Sequence, residues 1–206
     1  MAKATDSKGG RLNVAIAGMG WWGKTIGAAL LDSPKVQVVK TVDPIPAAGE
    51  WAQSRGIAFT TDFDAVLADA SVEAVILCTP HSLHSRQIAA AAAAKKHVFC
   101  EKPLSLTRGD AAAAVAACEA NKVVLGVGHE HRFKPVMQDL LRAVKCGELG
   151  VIQMTEATLT NPLRPLAAGN WRLNTAERPG GTMTAQPGFA APPRRSYCPK
   201  LMPQAS

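Results

Sequence analysis

The 206-residue chain has no long apolar run, few aromatic side chains and few charged ones. Its longest apolar runs, Ile88 to Ala94 and Ala111 to Cys118, are far shorter than the ~18 residues that a membrane-spanning helix needs, so we predict no membrane association. The polar start, Met1 to Gly10, lacks the apolar stretch of a secretory signal. We therefore expect a cytoplasmic protein whose residues 1–10 are disordered.

The five cysteines form no C-x-x-C pair and leave one over, which argues against a disulfide framework and against a metal site. They are Cys78, Cys100, Cys118, Cys146 and Cys198. The net charge is +7, and most of the excess lies late, because residues 130–206 carry 10 basic and 5 acidic side chains. Aromatic residues make up only 5% of the chain, and none interleave with a basic stripe. We therefore predict a solvated basic face and no nucleic-acid partner.

Short runs rich in valine and isoleucine alternate with helix-like stretches from Leu12 to about Cys146, which predicts an α/β fold. The predicted strands are Leu12–Ala17, Val36–Val42, Ile57–Thr60, Ala74–Cys78, His97–Cys100 and Val123–Val127, and the predicted helices span 21–32, 46–55, 62–69, 82–95 and 107–120. Two helices carry capping signals, Thr61 with Asp64 and Thr107 with Asp110. Such alternation predicts a doubly wound parallel sheet with helices on both faces.

The pattern changes after Gly128. An amphipathic helix is predicted over Lys134–Cys146 and a strand of a different sheet over Val151–Thr160. Residues 185–206 hold five prolines and have no usable period. We therefore predict a disordered start (1–10), a dinucleotide-binding domain (11–129), the beginning of an incomplete α+β second domain (130–184) and an irregular tail (185–206).

The first predicted strand runs into a G-x-G-x-x-G loop, Gly18-Met19-Gly20-Trp21-Trp22-Gly23, and then into a helix. Gly18 permits the tight turn, Gly20 lets a diphosphate approach the backbone, and Gly23 lets the helix pack closely on the strand. The diphosphate would contact the free amides that begin the helix, including those of Trp21 and Trp22. Strand, loop and helix together predict a dinucleotide site.

Asp43 lies 20 residues after Gly23, at the end of the second predicted strand. A carboxylate there accepts hydrogen bonds from the adenosine ribose and repels the additional phosphate of NADP. Residues 44–48 contain no Arg or Lys to hold that phosphate, so NAD is predicted rather than NADP. Taken alone, Asp43 is equally well explained as a turn former beside Pro44.

Polar groups follow two more strands, at the edge where open parallel sheets bind ligands. One group contains Thr79, Pro80, His81 and His84, and the other is Glu101-Lys102-Pro103. A simple strand-to-helix turn explains the first equally well, and a surface ion pair beside a turn proline explains the second.

These residues together resemble the Gfo/Idh/MocA oxidoreductases, the group of glucose-fructose oxidoreductase and inositol dehydrogenase. The motifs are Gly18 to Gly23, Thr79-Pro80-x-x-x-His84, Lys96 to Pro103 and His131-Arg132-Phe133-x-Pro135. The resemblance runs from about Arg11 to Thr184 and implies a Rossmann-like domain that binds NAD(P). It also implies hydride transfer with a sugar, cyclitol or related polyol.

The resemblance also implies roles for single residues. Glu101 and Lys102 match an E-K-P motif whose lysine contacts the reacting hydroxyl and whose Lys-Pro peptide is often cis. The residues that would line the cofactor are Thr79, Pro80, His81, His84, Glu101 and Lys102. His81 stands where many members have asparagine, and a structural hydrogen bond explains His84 nearly as well. His129 and His131 are expected to be core or rim histidines.

Further along the chain, the match to the family ends. Trp171-Arg172 and Pro179 to Thr184 fit the pattern, but Ala185 and Phe189 stand where members have an aspartate and the proton-accepting histidine. We therefore expect a shortened or frameshifted member with doubtful activity and a weakened tendency to form homo-oligomers. The rival hypotheses are an inactive NAD-binding remnant that serves as an interaction module, and a glycosidase or dehydratase that uses the nicotinamide transiently.

Overall fold

The computed structural model describes residues 10–156 and 170–177. The strands are β1 (Leu12–Ala17), β2 (Val36–Val42), β3 (Ala58–Thr60), β4 (Ala74–Leu77), β5 (His97–Glu101) and β6 (Leu125–Gly128). The α-helices are α1 (Trp21–Leu30), α2 (Glu50–Gln53), α3 (Phe63–Ala68), α4 (His81–Ala93), α5 (Arg108–Asn121) and α6 (Pro135–Lys145). Short 3₁₀ helices cover Pro46–Gly49, Glu130–Phe133, Trp171–Leu173 and Thr175–Glu177.

The six strands form one sheet in the order β3-β2-β1-β4-β5-β6, and every neighbouring pair is parallel. Strands β2 and β3 add to one side of β1, and the chain then returns to place β4, β5 and β6 on the other side of β1. The point where the direction reverses lies between β1 and β4, and ligands of open α/β sheets bind at such a point. The predicted doubly wound sheet is confirmed.

Alternate residues of β1 enter separate hydrophobic cores on the two faces of the sheet. Ala15 and Ala17 belong to one core, whereas Val14 and Ile16 belong to the other. All four residues of β4 are buried, as the near-continuous apolar runs of a parallel sheet require. Helices therefore cover both faces, and the loops at the carboxyl edge of the sheet are left to bind ligands.

Three local predictions need correction. The N-cap of α3 is Asp62 and not Thr61, because the Asp62 carboxylate accepts the Asp64 amide at 2.8 Å. Strand β6 begins at Leu125 and not at Val123, because the Val123 amide closes the end of α5 by donating to the Cys118 carbonyl at 3.0 Å. The predicted helix over 46–55 divides at Gly49 into a 3₁₀ turn and the single turn α2.

The predicted cap of α5 is confirmed. The Thr107 hydroxyl accepts the Asp110 amide at 3.1 Å and donates to the Asp110 carboxylate at 2.8 Å. Thr107→Ala is expected to lower the free energy of unfolding by about 1 kcal/mol, measured by urea denaturation, because the first turn of α5 loses its acceptor. Thr25→Ala, which removes a hydroxyl bonded within α1, is the matched control and should cost less. Equal losses in the two variants would contradict the capping role.

Beyond the sheet, the predicted helix over Lys134–Cys146 is confirmed as α6. The strand predicted over Val151–Thr160 is wrong for residues 151–156, which form no strand. A strand needs a hydrogen-bonded neighbour, and this segment pairs with none of the strands in the described part of the chain. Residues 1–9, 157–169 and 178–206, which include most of the two predicted disordered ends, lie outside the described residues. Among the residues described, no helix is long and apolar enough to cross a membrane.

Candidate functional site

The turn from β1 into α1 is packed too closely for side chains at its first and last glycines. Gly18 has a φ of +90°, and a Cβ there would lie 2.6 Å from the Cys78 carbonyl oxygen. A Cβ on Gly23 would lie 1.9 Å from the Gly18 carbonyl oxygen. Only glycine fits at either position. The geometry agrees with the tight turn and the close helix packing predicted for these residues.

Gly20 differs from its two neighbours because an added Cβ would meet nothing within 4 Å. It is the N-cap of α1 and has no side chain to accept hydrogen bonds from the first turn, which also contains no acidic residue. Within the described residues, the amides that begin α1, including those of Trp21 and Trp22, have no side-chain cap, and the space beside Gly20 is open. Such a helix N-terminus binds anions.

Asp43 immediately follows β2 and holds the glycine loop in place. Its Oδ2 accepts the Met19 amide at 2.8 Å, and its Oδ1 accepts the Ile45 amide at 3.0 Å. The second bond is the turn geometry that the sequence offered as an alternative explanation. The first bond was not predicted, because it joins residues 24 apart in sequence. Asp43 thus lies at the loop and presents a half-buried carboxylate beside it.

The end of β4 continues through Thr79 and Pro80 into α4. The Thr79 hydroxyl donates to the Gln87 Oε1 at 2.5 Å. His84 is completely buried, and its two ring nitrogens face the Thr79 carbonyl at 3.0 Å and the Pro103 carbonyl at 2.7 Å. His84 therefore ties the turn after β4 to the turn after β5. Its side chain has no exposed surface, so the structural hydrogen bond that the sequence offered as an alternative is what the geometry shows.

His81 begins α4 and is held by residues far away in sequence. Its Nδ1 donates to the Glu177 carbonyl at 2.8 Å, and its ring meets Trp171 edge-on with 4.8 Å between centroids. Burial lowers the pKa of His81, and the hydrogen bond to Glu177 opposes that shift. Burial likewise lowers the pKa of His84, opposed by its two carbonyl partners.

Strand β5 ends with a buried carboxylate, Glu101, followed by Lys102. Burial raises the pKa of Glu101, opposed by the Trp22 indole and by the Lys102 amide, which donates to Oε2 at 3.3 Å. The Trp22 indole N–H is buried and makes no hydrogen bond of normal geometry within the described residues. It is still close enough to the Glu101 carboxylate to lower the pKa of that group. The Lys102-Pro103 peptide is cis, as the resemblance implied.

Gly128 gives the Glu101 side chain its space. The two residues are register partners on β5 and β6, and a Cβ on Gly128 would lie 2.5 Å from Glu101 Oε1. Gly128 was not among the predicted site residues. A usable signal was present, because glycine inside a strand often marks a close approach by another group.

The predicted site residues therefore converge at the carboxyl edge of four neighbouring strands. Gly18 follows β1, Asp43 follows β2, Thr79 follows β4, and Lys102 follows β5. His129 begins the turn after β6, and His131 lies 3.3 Å from the Glu130 carboxylate on the rim. Within the described residues, no three His, Cys, Asp or Glu side chains form a group that could hold a metal ion.

A cavity of about 440 Å³ opens between the start of α3 and the first turns of α4. It is lined by Asp62, Phe63, Asp64, Arg86, Gln87 and Ala90. None of these is a predicted site residue, although Gln87 receives the Thr79 hydroxyl. The cavity therefore lies beside the converging strand ends and does not replace them as the candidate site.

The reversal point, the glycine loop and the adjoining carboxylate define a dinucleotide-binding α/β domain. Residues 12–129 match the GFO/IDH/MocA family, an oxidoreductase family with an NAD-binding Rossmann fold. The chain belongs to this family.

Related sequences include enzymes that act on inositol. The chain is 31% identical over 150 residues to inositol 2-dehydrogenase of Rhizobium meliloti, an overlap that covers 73% of this chain and 46% of that protein. It is 35% identical over 130 residues to the uncharacterized oxidoreductase YrbE of Bacillus subtilis, an overlap that covers 62% of this chain and 38% of that protein. The chain thus spans less than half the length of these relatives.

Solved structures with the same fold extend the comparison. A putative myo-inositol dehydrogenase from Sinorhizobium meliloti is 32% identical with a TM-score of 0.64, covering 68% of this chain and 43% of that one. GenD2 from gentamicin A biosynthesis, solved in complex with NAD, is 32% identical with a TM-score of 0.64. The match covers 67% of this chain and 40% of GenD2.

Proposed function

We propose that this chain binds NAD and supplies the cofactor-binding half of an oxidoreductase that acts on a sugar, cyclitol or related polyol. The open N-terminus of α1 carries the proposal. Gly20 leaves room beside amides that no side chain caps in the described part of the chain, and Asp43 is bonded to the adjoining Met19 amide of the glycine loop. An anionic diphosphate fits the first feature, and a ribose fits the second.

The proposed preference for NAD over NADP rests on charge. The Asp43 carboxylate is half-buried at the loop, so an additional phosphate placed there would meet a like charge. The following residues, 44–48, contain no Arg or Lys to neutralise it. GenD2, with the same fold, was solved with NAD, which supports the choice.

The nicotinamide, when bound, supplies the hydride acceptor or donor. We assign the accompanying proton transfer to Lys102, whose Nζ would hold or release the hydroxyl proton of the substrate. Lys102 directly follows β5, and its amide is held by the buried Glu101 carboxylate. His84 fixes the next residue, Pro103, through its carbonyl. These contacts give the lysine a defined place at the carboxyl edge.

A second candidate is an NAD-binding interaction module without turnover. This candidate is favoured by Ala185 and Phe189, which stand where other family members have an aspartate and a histidine. Neither the alanine nor the phenylalanine side chain can accept a proton. Both residues lie outside the described part of the chain. Tight NAD binding without nicotinamide reduction on any polyol would favour this module over the dehydrogenase.

The test is a titration with NAD and NADP, followed by a panel of polyols. Quenching of Trp21 and Trp22 fluorescence should report NAD binding, because both residues begin α1. Lys102→Ala should keep NAD affinity and lose about 10² to 10⁴ in the rate of nicotinamide reduction. Lys35→Ala, an exposed lysine at the opposite edge of the sheet, is the matched control. An undiminished rate in Lys102→Ala would contradict the assigned role, and failure to bind either coenzyme would refute the proposed function.

A further inference from the structure

The segment 170–177 is built from two short turns that hold themselves in shape. The Asn170 side chain accepts the Arg172 amide at 3.0 Å, and the Asn174 side chain accepts the Ala176 amide at 3.0 Å. The segment lies more than 40 residues after β6 in sequence, yet it contacts the start of α4. A remote segment thus reaches the carboxyl edge of the sheet.

Glu177 provides the main contact with α4. Its Oε2 accepts the Ser82 amide at 2.9 Å, and its Oε1 accepts the Ser82 hydroxyl at 2.5 Å. The N-cap residue of α4 is Pro80, which offers no side-chain acceptor. A helix N-terminus without a local cap is stabilised by an acceptor, preferably a negative one. Glu177 serves as that acceptor from 95 residues away.

The same contact holds His81 from two sides. The Glu177 carbonyl accepts the His81 Nδ1 proton, and Trp171 packs edge-on against the imidazole. The Arg172 guanidinium lies 4.4 Å from the centroid of the Trp171 ring, which favours a fixed indole. His81 and Trp171 therefore depend on one anchor, Glu177.

The helix N-termini at the carboxyl edge of the sheet differ in whether a side chain caps them. Among the helices that follow β1, β3, β4 and β5, α3 is capped by Asp62, α5 by Thr107 and α4 by Glu177. Of these four helices, α1 is the one for which no side-chain acceptor lies at the start within the described residues. With Glu177 in place, the carboxyl edge offers a diphosphate the N-terminus of α1 and not that of α4.

We propose that Glu177 is a positioning residue that fixes segment 170–177 on the N-terminus of α4, holds His81 against Trp171 and directs anion binding to α1. The last clause rests on the proposed cofactor function, whereas the first two concern the chain without any ligand. Glu177 itself touches neither cofactor nor substrate in this role.

The test is the NMR titration of His81 and His84 in Glu177→Gln without coenzyme. The Glu177 charge raises the pKa of both imidazoles, opposing burial, and the charge of Arg172 acts in the opposite direction on His81. Glu177→Gln keeps an acceptor for Ser82 but removes the charge, so both titration midpoints should fall. The Ser82 amide should exchange with solvent roughly tenfold faster.

Two further variants complete the experiment. Ser82→Ala removes the hydroxyl donor but keeps the amide, so it should lower both histidine midpoints as Glu177→Gln does, with a smaller effect. Glu148→Gln, an exposed carboxylate that contacts Arg142 after α6, is the matched control and should leave both histidines unchanged. Histidine midpoints in Glu177→Gln equal to those of the parent chain would overturn the proposal.

Coenzyme binding is a separate readout. In Glu177→Gln the Kd of NAD should rise several-fold, because a neutral amide caps α4 more weakly than the carboxylate and leaves its N-terminus freer to compete for the diphosphate. If the parent chain ignores NAD while the histidine midpoints still fall in Glu177→Gln, the cofactor function fails and the positioning role stands. If the parent binds NAD and the midpoints do not move, the positioning role fails alone.

Discussion

Gly23→Ala is expected to lower the free energy of unfolding by about 3 kcal/mol and the melting temperature by roughly 10 °C. The new methyl group would lie 1.9 Å from the Gly18 carbonyl oxygen, which is backbone and cannot move away as a flexible side chain could. The start of α1 must therefore separate from the end of β1. Differential scanning calorimetry and urea denaturation measure the loss, and NAD binding should disappear with it.

Gly20→Ala is the matched comparison within the same loop. Its methyl group would meet no protein atom within 4 Å, and the φ of −68° at this position suits alanine, so the fold should keep nearly its full stability. NAD affinity should nevertheless fall at least about tenfold, because the methyl group enters the space of the proposed diphosphate. A Gly20→Ala chain that binds NAD like its parent would show that no phosphate approaches this backbone.

Asp43→Ala is expected to weaken NAD binding by about 10- to 100-fold, the range set by hydrogen bonds to a charged group. The variant loses the proposed ribose acceptor and also releases the Met19 amide of the glycine loop. The ratio of NAD affinity to NADP affinity should move toward one, because the repelling carboxylate is gone. Isothermal titration with the two coenzymes measures both effects.

Asp43→Asn separates the charge from the loop anchor. The amide oxygen can still accept a backbone N–H, so NAD affinity should fall less than in Asp43→Ala, while the preference against NADP still weakens. Asp32→Ala, an exposed carboxylate after α1, controls for the loss of one negative charge and should change neither affinity. Unchanged coenzyme selectivity in both Asp43 variants would contradict the role of its charge.

The succession of strands and helices along the chain could be predicted because its signals are local. The apolar run of β1 and the glycines after it determine a strand, a turn and a helix within a few residues. Boundaries were less predictable where two local patterns overlap. Val123 looks like the start of β6, yet its amide closes α5 by donating to the Cys118 carbonyl.

The identity of the site residues could be predicted, but the contacts between them could not. Sequence reasoning named Asp43, His84 and Glu101 and placed them after strands. It did not find that Asp43 anchors Met19 or that Gly128 makes room for Glu101. Those contacts cross between strands, where packing selects the partner and no sequence period marks it.

Alternating strands and helices, and a glycine turn of suitable spacing before the first helix, could be read from the amino-acid sequence because local backbone preferences and apolar periodicity set them. The cap of α5 could be read for the same reason, since Thr107 and Asp110 lie three residues apart. The acceptor at the start of α4 depends on the folded chain, because Glu177 reaches Ser82 across 95 residues. Such a distant pairing is set by how the folded elements pack, and no local pattern records it.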